Sequence, residues 1–114
     1  MNESAVEPSA TTLKIRELND QLRKTLSVGL GRVIMTATVT AMDSSARHEL
    51  VRKFQNFEDN DPYGEHDFGM VEMDGQKYYF IIDYYDKNME AGSASPEDPM
   101  VTCRVLTFMH SNEL

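Results

Sequence analysis

The chain has no tryptophan, only four prolines and a single cysteine, Cys103, in 114 residues. One cysteine excludes an intramolecular disulfide and with it the disulfide-stapled class of small secreted domains. Cys103 reads as a small apolar residue in a reducing compartment. No apolar run approaches the roughly 20 residues that cross a bilayer. No charged segment followed by an apolar one opens the chain, so the expectation is a cytoplasmic protein without a membrane partner. P-loop, serine-triad, CxxC-pair and dinucleotide-binding patterns are all missing, which argues against the common cofactor enzymes and predicts no cofactor. Basic residues are scarce in the second half: from Glu58 to Asp98 only Lys77 and Lys87 stand against twelve carboxylates, a local net charge of −10. Phosphate binding needs clustered lysine and arginine, so direct nucleic-acid binding is not expected there.

What is present suits one domain. Hydrophobic residues make up 40% of the chain, with five tyrosines, five phenylalanines and eight methionines, enough for a single adaptable core. The stretch 1–10, with Pro8 and few apolar residues, reads as a disordered N-terminal arm, leaving 11–114 as a single α+β domain. From Thr11 to Lys53 eight basic residues face four acidic ones, so the overall charge of −8 conceals a basic first half and an acidic second half. The acidic half could draw a basic partner.

Ile15, Leu18, Leu22 and Leu26 form one helical stripe within Thr12 to Ser27, with Gly29 or Gly31 as the stop. Arg32 to Thr40 alternates Val33, Met35, Ala37 and Val39 with Ile34, Thr36, Thr38 and Thr40, which predicts a strand with one buried and one threonine-rich face. Asp43, Ser44 and Ser45 offer caps for a second helix whose apolar side is Ala46, Leu50, Val51, Phe54 and Phe57, ending before Asn60. Glu65 to Met73 and Gln76 to Tyr85 read as strands joined by Asp74-Gly75, a strong hairpin signal. Lys87 to Pro99 reads as a loop. Asp98 as N-cap and Pro99 at the first helical position predict a third helix carrying Met100, Val101, Val105, Phe108 and Met109. The order expected is α-β-α-β-β-α: a three-stranded, mainly antiparallel sheet with helices on one face.

A two-residue Asp74-Gly75 turn fixes the hairpin register, placing Glu72 opposite Lys77, Met70 opposite Tyr79, Phe68 opposite Ile81 and His66 opposite Asp83. The last pair draws attention, because a carboxylate beside imidazole favours the charged ring or fixes its tautomer. His66 and Asp83 are therefore candidate catalytic residues, as a base and its orienting acid. His66, Asp67 and Asp83 are candidate ligands for a divalent metal with an open position for water, and only this alternative calls for a cofactor. The competing structural interpretation is a hydrogen-bond network in which the carboxylates, Pro62 and Gly64 hold a loop. Tyr78, Tyr79, Tyr84 and Tyr85 lack interleaved arginines, so core packing and a protein interface account for them better than base stacking.

Asn60 to Gly69, Ile82-Asp83-Tyr84-Tyr85-Asp86, Asp98-Pro99, Thr102 to Thr107 and Ile15 to Asp20 together resemble the small bacterial family catalogued as domain of unknown function 3768. The likeness extends from the first helix nearly to the C-terminus. It implies a bacterial setting, often on a phage or plasmid, and no established activity. By association that setting suggests a small acidic inhibitor or regulator acting in the host cytoplasm. Such a protein would bind a protein or nucleoprotein complex, a CRISPR or restriction complex among them, in the manner of an anti-CRISPR protein. The contact surface expected is Asp61, Tyr63, Glu65, Asp67, Tyr84, Tyr85 and Asp86. The alternative is a small metal-dependent hydrolase or nuclease built on the histidine and carboxylate cluster.

Overall fold

Ser9 opens the first helix: its Oγ accepts from the Thr12 amide at 3.0 Å, and α1 runs over Ala10–Thr25. The computed structural model describes residues 7–58 and 62–114. Residues 1–6 of the expected arm, and Asp61 of the expected contact surface, lie outside them, while Ala10 is already helical. Ile15, Leu18 and Leu22 are buried as the stripe predicts.

Strand β1 (Arg32–Met35) is shorter than its alternation suggests, because Thr36 leaves the strand and Ala37–Thr40 forms a single turn of helix, α2. The carboxylate of Glu113, at the far end of the chain, supplies the reason. It accepts from Thr36 Oγ1 at 2.6 Å and from the Thr38 amide at 3.1 Å, satisfying donors that a helix start leaves open. The turn drives Val39 wholly into the core. Asp43 then caps α3 (Ser44–Gln55) through the Ala46 amide, and Leu50 and Phe54 are its buried side.

Strands β2 (Phe68–Met73) and β3 (Gln76–Asp86) pair antiparallel in the predicted register, from Met73↔Gln76 to Phe68↔Ile81. Asp74 and Gly75 take φ of 52° and 77°, the left-handed pair that a two-residue hairpin turn requires. Gly69 has no substitute for a different reason: a Cβ there would run into the Phe57 and Phe80 rings.

The predicted third helix is a strand. Asp98 and Pro99 do start a turn, in which Asp98 Oδ1 accepts from the Met100 amide at 2.9 Å, but the chain leaves it as β4 (Thr102–His110). This strand pairs antiparallel with β3 and parallel with β1, giving a four-stranded mixed sheet of order β1-β4-β3-β2 in place of three strands. Being central, β4 buries residues on both faces. Its near-continuous burial cannot be told from a helix by periodicity, and Thr102, Val105, Thr107 and Phe108 tip it towards strand. The class, α+β, stands.

Alternation along the strands divides the sheet into two faces. Phe80, Ile82, Leu106 and Phe108 face α1 and α3, where Phe54 stacks on Phe108 (4.6 Å, 1° between planes) and meets Phe80 edge-on. The buried core residues of the three helices, Leu22, Val39, Leu50 and Phe54, all cluster with this face, which leaves the opposite one without a helix packed in that core among the described residues.

Candidate functional site

The segment singled out in the sequence, 62–67, is fastened to α1. Arg16 donates from Nε to the Gly64 carbonyl and from Nη2 to the Pro62 carbonyl, both at 2.9 Å. One turn on, Asn19 donates to the Glu65 carbonyl at 3.0 Å and to the Tyr84 hydroxyl at 2.7 Å, while its own Oδ1 accepts from Arg104 Nε at 2.8 Å. The Tyr84 hydroxyl donates to Glu65 Oε1 at 2.8 Å, and the Arg104 guanidinium lies over the Tyr84 ring and bonds the Pro96 carbonyl.

Burial pushes the Tyr84 hydroxyl above its ordinary pKa; the Asn19 bond opposes that shift and the bond and charge of Glu65 add to it. Burial lowers the Arg104 guanidinium, opposed by Tyr84 and Glu65. With its hydroxyl neutral, Tyr84 can donate to a carboxylate while accepting from an amide, which is how the cluster closes.

His66 does not meet Asp83. The strand pairing ends at Phe68↔Ile81, followed by one further bond from the Ile82 amide to the Asp67 carbonyl, and His66 turns away with φ 58°. Its Nδ1 lies 3.0 and 3.1 Å from the two Asp20 oxygens, so the ring proton on Nδ1 donates to that carboxylate. Asp83 stands exposed on the helix-free face. The expected base and orienting acid are thus on different sides of the molecule, and no group of three histidine, cysteine or acidic residues among the described residues could hold a metal ion. Asp20 also accepts from Arg23, a buried residue whose guanidinium reaches the Phe54 and Phe57 carbonyls and ends α3 as a cation at a helix C-terminus should.

The expected contact surface is divided in the same way. Glu65 and Tyr84 bond each other inward. Tyr63 is exposed, Asp67 half-buried, Tyr85 half-buried on the opposite face, and Asp86 Oδ1 accepts from the Glu90 amide in the following turn. Asn19, Arg23 and Arg104, which organise the cluster, are not among the residues that the sequence singles out as a site, and all three are buried. A signal existed for two of them: positions 19 and 23 fall beside Ile15, Leu22 and Leu26 on the apolar arc of α1.

A second region combines exposure with apolar chemistry. On the helix-free face Ile34, Thr107, Ile81 and Phe68 form one row across all four strands, with Met109, Tyr79 and Met70 in the next. Ile34, Phe68 and Met70 are 47%, 48% and 37% exposed, and Phe68 stacks on Tyr79 at 5.4 Å. Strand β2 also forms an open edge. The Ile82–Asp67 bond sets the alternation of the ladder, so the backbone amides and carbonyls of Phe68, Met70 and Glu72 point away from β3. Beside this edge an open groove of about 830 Å³ separates β2 from α3.

A family model described as protein of unknown function (DUF3768) matches residues 35–113, leaving α1 and most of β1 outside the matched span. No curated protein and no solved structure matches the chain. With more than two thirds of its length matched, the chain belongs to the DUF3768 family.

Proposed function

We propose that this protein is a protein-binding inhibitor or regulator whose contact surface is the helix-free sheet face together with the open edge of β2. The observation that carries the reading is the row of Ile34, Ile81 and Phe68 with the adjoining Met70 and Tyr79, in which Ile34, Phe68 and Met70 are exposed and Ile81 and Tyr79 half-buried. Contiguous exposed apolar surface of this kind marks interaction sites, and aromatic and methionine side chains are the residues enriched at interface centres. Binding is favoured over hydrolysis because His66 serves the loop attachment through Asp20 and Asp83 stands apart from it. Recognition through this face is also favoured over imitation of DNA, since Glu65 and Asp86, two of the acidic residues proposed for contact, accept hydrogen bonds within the chain.

The test is capture by tagged protein from bacterial cells with intact CRISPR and restriction systems, alongside the double variant Phe68→Lys/Met70→Lys. A stoichiometric partner that the variant loses while its far-UV circular dichroism is unchanged supports the reading. Equal capture by both, or no partner for either, overturns it.

A further inference from the structure

Resting on that reading, we propose that the groove between α3 and β2 takes an extended acidic peptide of the partner, added to the sheet as a fifth strand. The edge is prepared for it: Phe68, Met70 and Glu72 direct backbone groups outward, and no hydrogen bond within the described residues occupies them. Strand addition at an open edge draws affinity from such main-chain groups and specificity from the alternate side chains.

An added strand would lie one strand spacing from β2, beneath the flank of α3, with successive side chains pointing to opposite sides. Those on one side would extend the apolar face beside Phe68 and Met70. Those on the other would face the groove wall, where α3 presents Ser45, His48, Arg52 and Lys53. Arg52 and Lys53 are exposed and make no ion pair among the described residues. Glu49 and Glu72 also border the groove, so the attraction comes from those acidic residues of the peptide that lie nearest Arg52 and Lys53.

A second copy of the chain fits less well. Pairing β2 with β2 would turn Gly69, Val71 and Met73, none of them acidic, towards α3, and it would set Arg52 and Lys53 of two helices side by side.

The experiment titrates a seven-residue peptide of alternating valine and glutamate, with blocked ends, into the ¹⁵N-labelled full chain. The expected result is shifted and exchange-protected amides at Phe68, Met70 and Glu72. The matching valine–lysine peptide should bind about tenfold more weakly, as should Arg52→Glu/Lys53→Glu, and the difference should shrink with added salt. Equal affinity for the lysine peptide, binding that leaves those three amides unprotected, or dimerisation of the chain in place of peptide binding would overturn the proposal. Cellular capture separates the two claims. Capture lost in Phe68→Lys/Met70→Lys but unaffected by Arg52→Glu/Lys53→Glu removes the acidic peptide and leaves the sheet-face reading standing; capture lost in neither removes that reading itself.

Discussion

The two faces of the sheet are built from similar residues and used differently. On the helix-covered face Phe54, Phe80 and Phe108 are fully buried in ring-to-ring contact; on the other, Phe68 and Tyr79 also stack, at 5.4 Å against 4.6 Å for Phe54 on Phe108, with Phe68 exposed and Tyr79 half-buried. Hydrophobicity alone therefore does not tell core from surface in this chain; what decides is which face the helices cover. Phe54→Ala should separate the two most sharply. It removes a ring stacked on Phe108 and edge-on to Phe80, and a loss of about 3–5 kcal/mol in urea unfolding is expected. A loss under about 1 kcal/mol would mean that the helix-covered side is no better packed than the bare one.

The helix-covered face is itself divided. Under α3 it is apolar, whereas under α1 it closes over Asn19, Arg104 and Tyr84. Asn19→Ala takes one bond from Arg104, one from Tyr84 and one from the Glu65 carbonyl, leaving buried groups without partners. A destabilisation of about 2–3 kcal/mol follows. Amide exchange should quicken across 64–67 well before β4, because the network's local task is to hold that loop. Uniform quickening of the whole chain would show that the polar end serves general packing instead.

This division explains what could be read in advance. The α1 and α3 stripes, the Asp74-Gly75 turn and the β2–β3 register follow from local chemistry: apolar spacing, a cap, and two residues that tolerate positive φ. The sequence of β4 reads as a helix because a central strand buries both faces and so loses its alternation, and because Asp98-Pro99 suits a turn as well as a helix start. The end of β1 depends on Glu113, more than seventy residues away, which no local pattern announces. The same holds for the loop attachment. His66 looked to its neighbour across the hairpin, yet its φ of 58° turns it to Asp20 on a helix forty-six positions earlier.

Glu113 gives the comparison a pH dimension, since it supports the helix-covered side from the sheet's C-terminal end. Its hydrogen bond from Thr36 is the main cause that lowers its pKa from 4.5 to about 2; desolvation opposes the shift, and the His110 and Thr38 amides reinforce it. The unfolded state thus takes up the proton first as pH falls. The stabilisation is complete above the unfolded value, declines below it and is gone beneath the folded value. Glu113→Gln should therefore flatten the decline of the urea midpoint between neutral pH and about pH 3. An unchanged slope would place the acid sensitivity in other carboxylates.

The smallest effect on stability should come from the face proposed for recognition, and its smallness is what makes it informative. Phe68 and Met70 are 48% and 37% exposed, and both lie on the edge strand, so Phe68→Lys/Met70→Lys gives up modest burial and the Tyr79 stack. Lysine can keep its methylene stem on the same surface while its ammonium reaches water. A change within about 1 kcal/mol is expected, against the several expected for Phe54→Ala on the other face. Should the double lysine variant unfold the chain instead, these side chains are structural, and the face would owe its apolar character to folding. If the variant folds as the parent does and loses its partner, the bare face is retained for contact, because its apolar residues then contribute little to holding the sheet together.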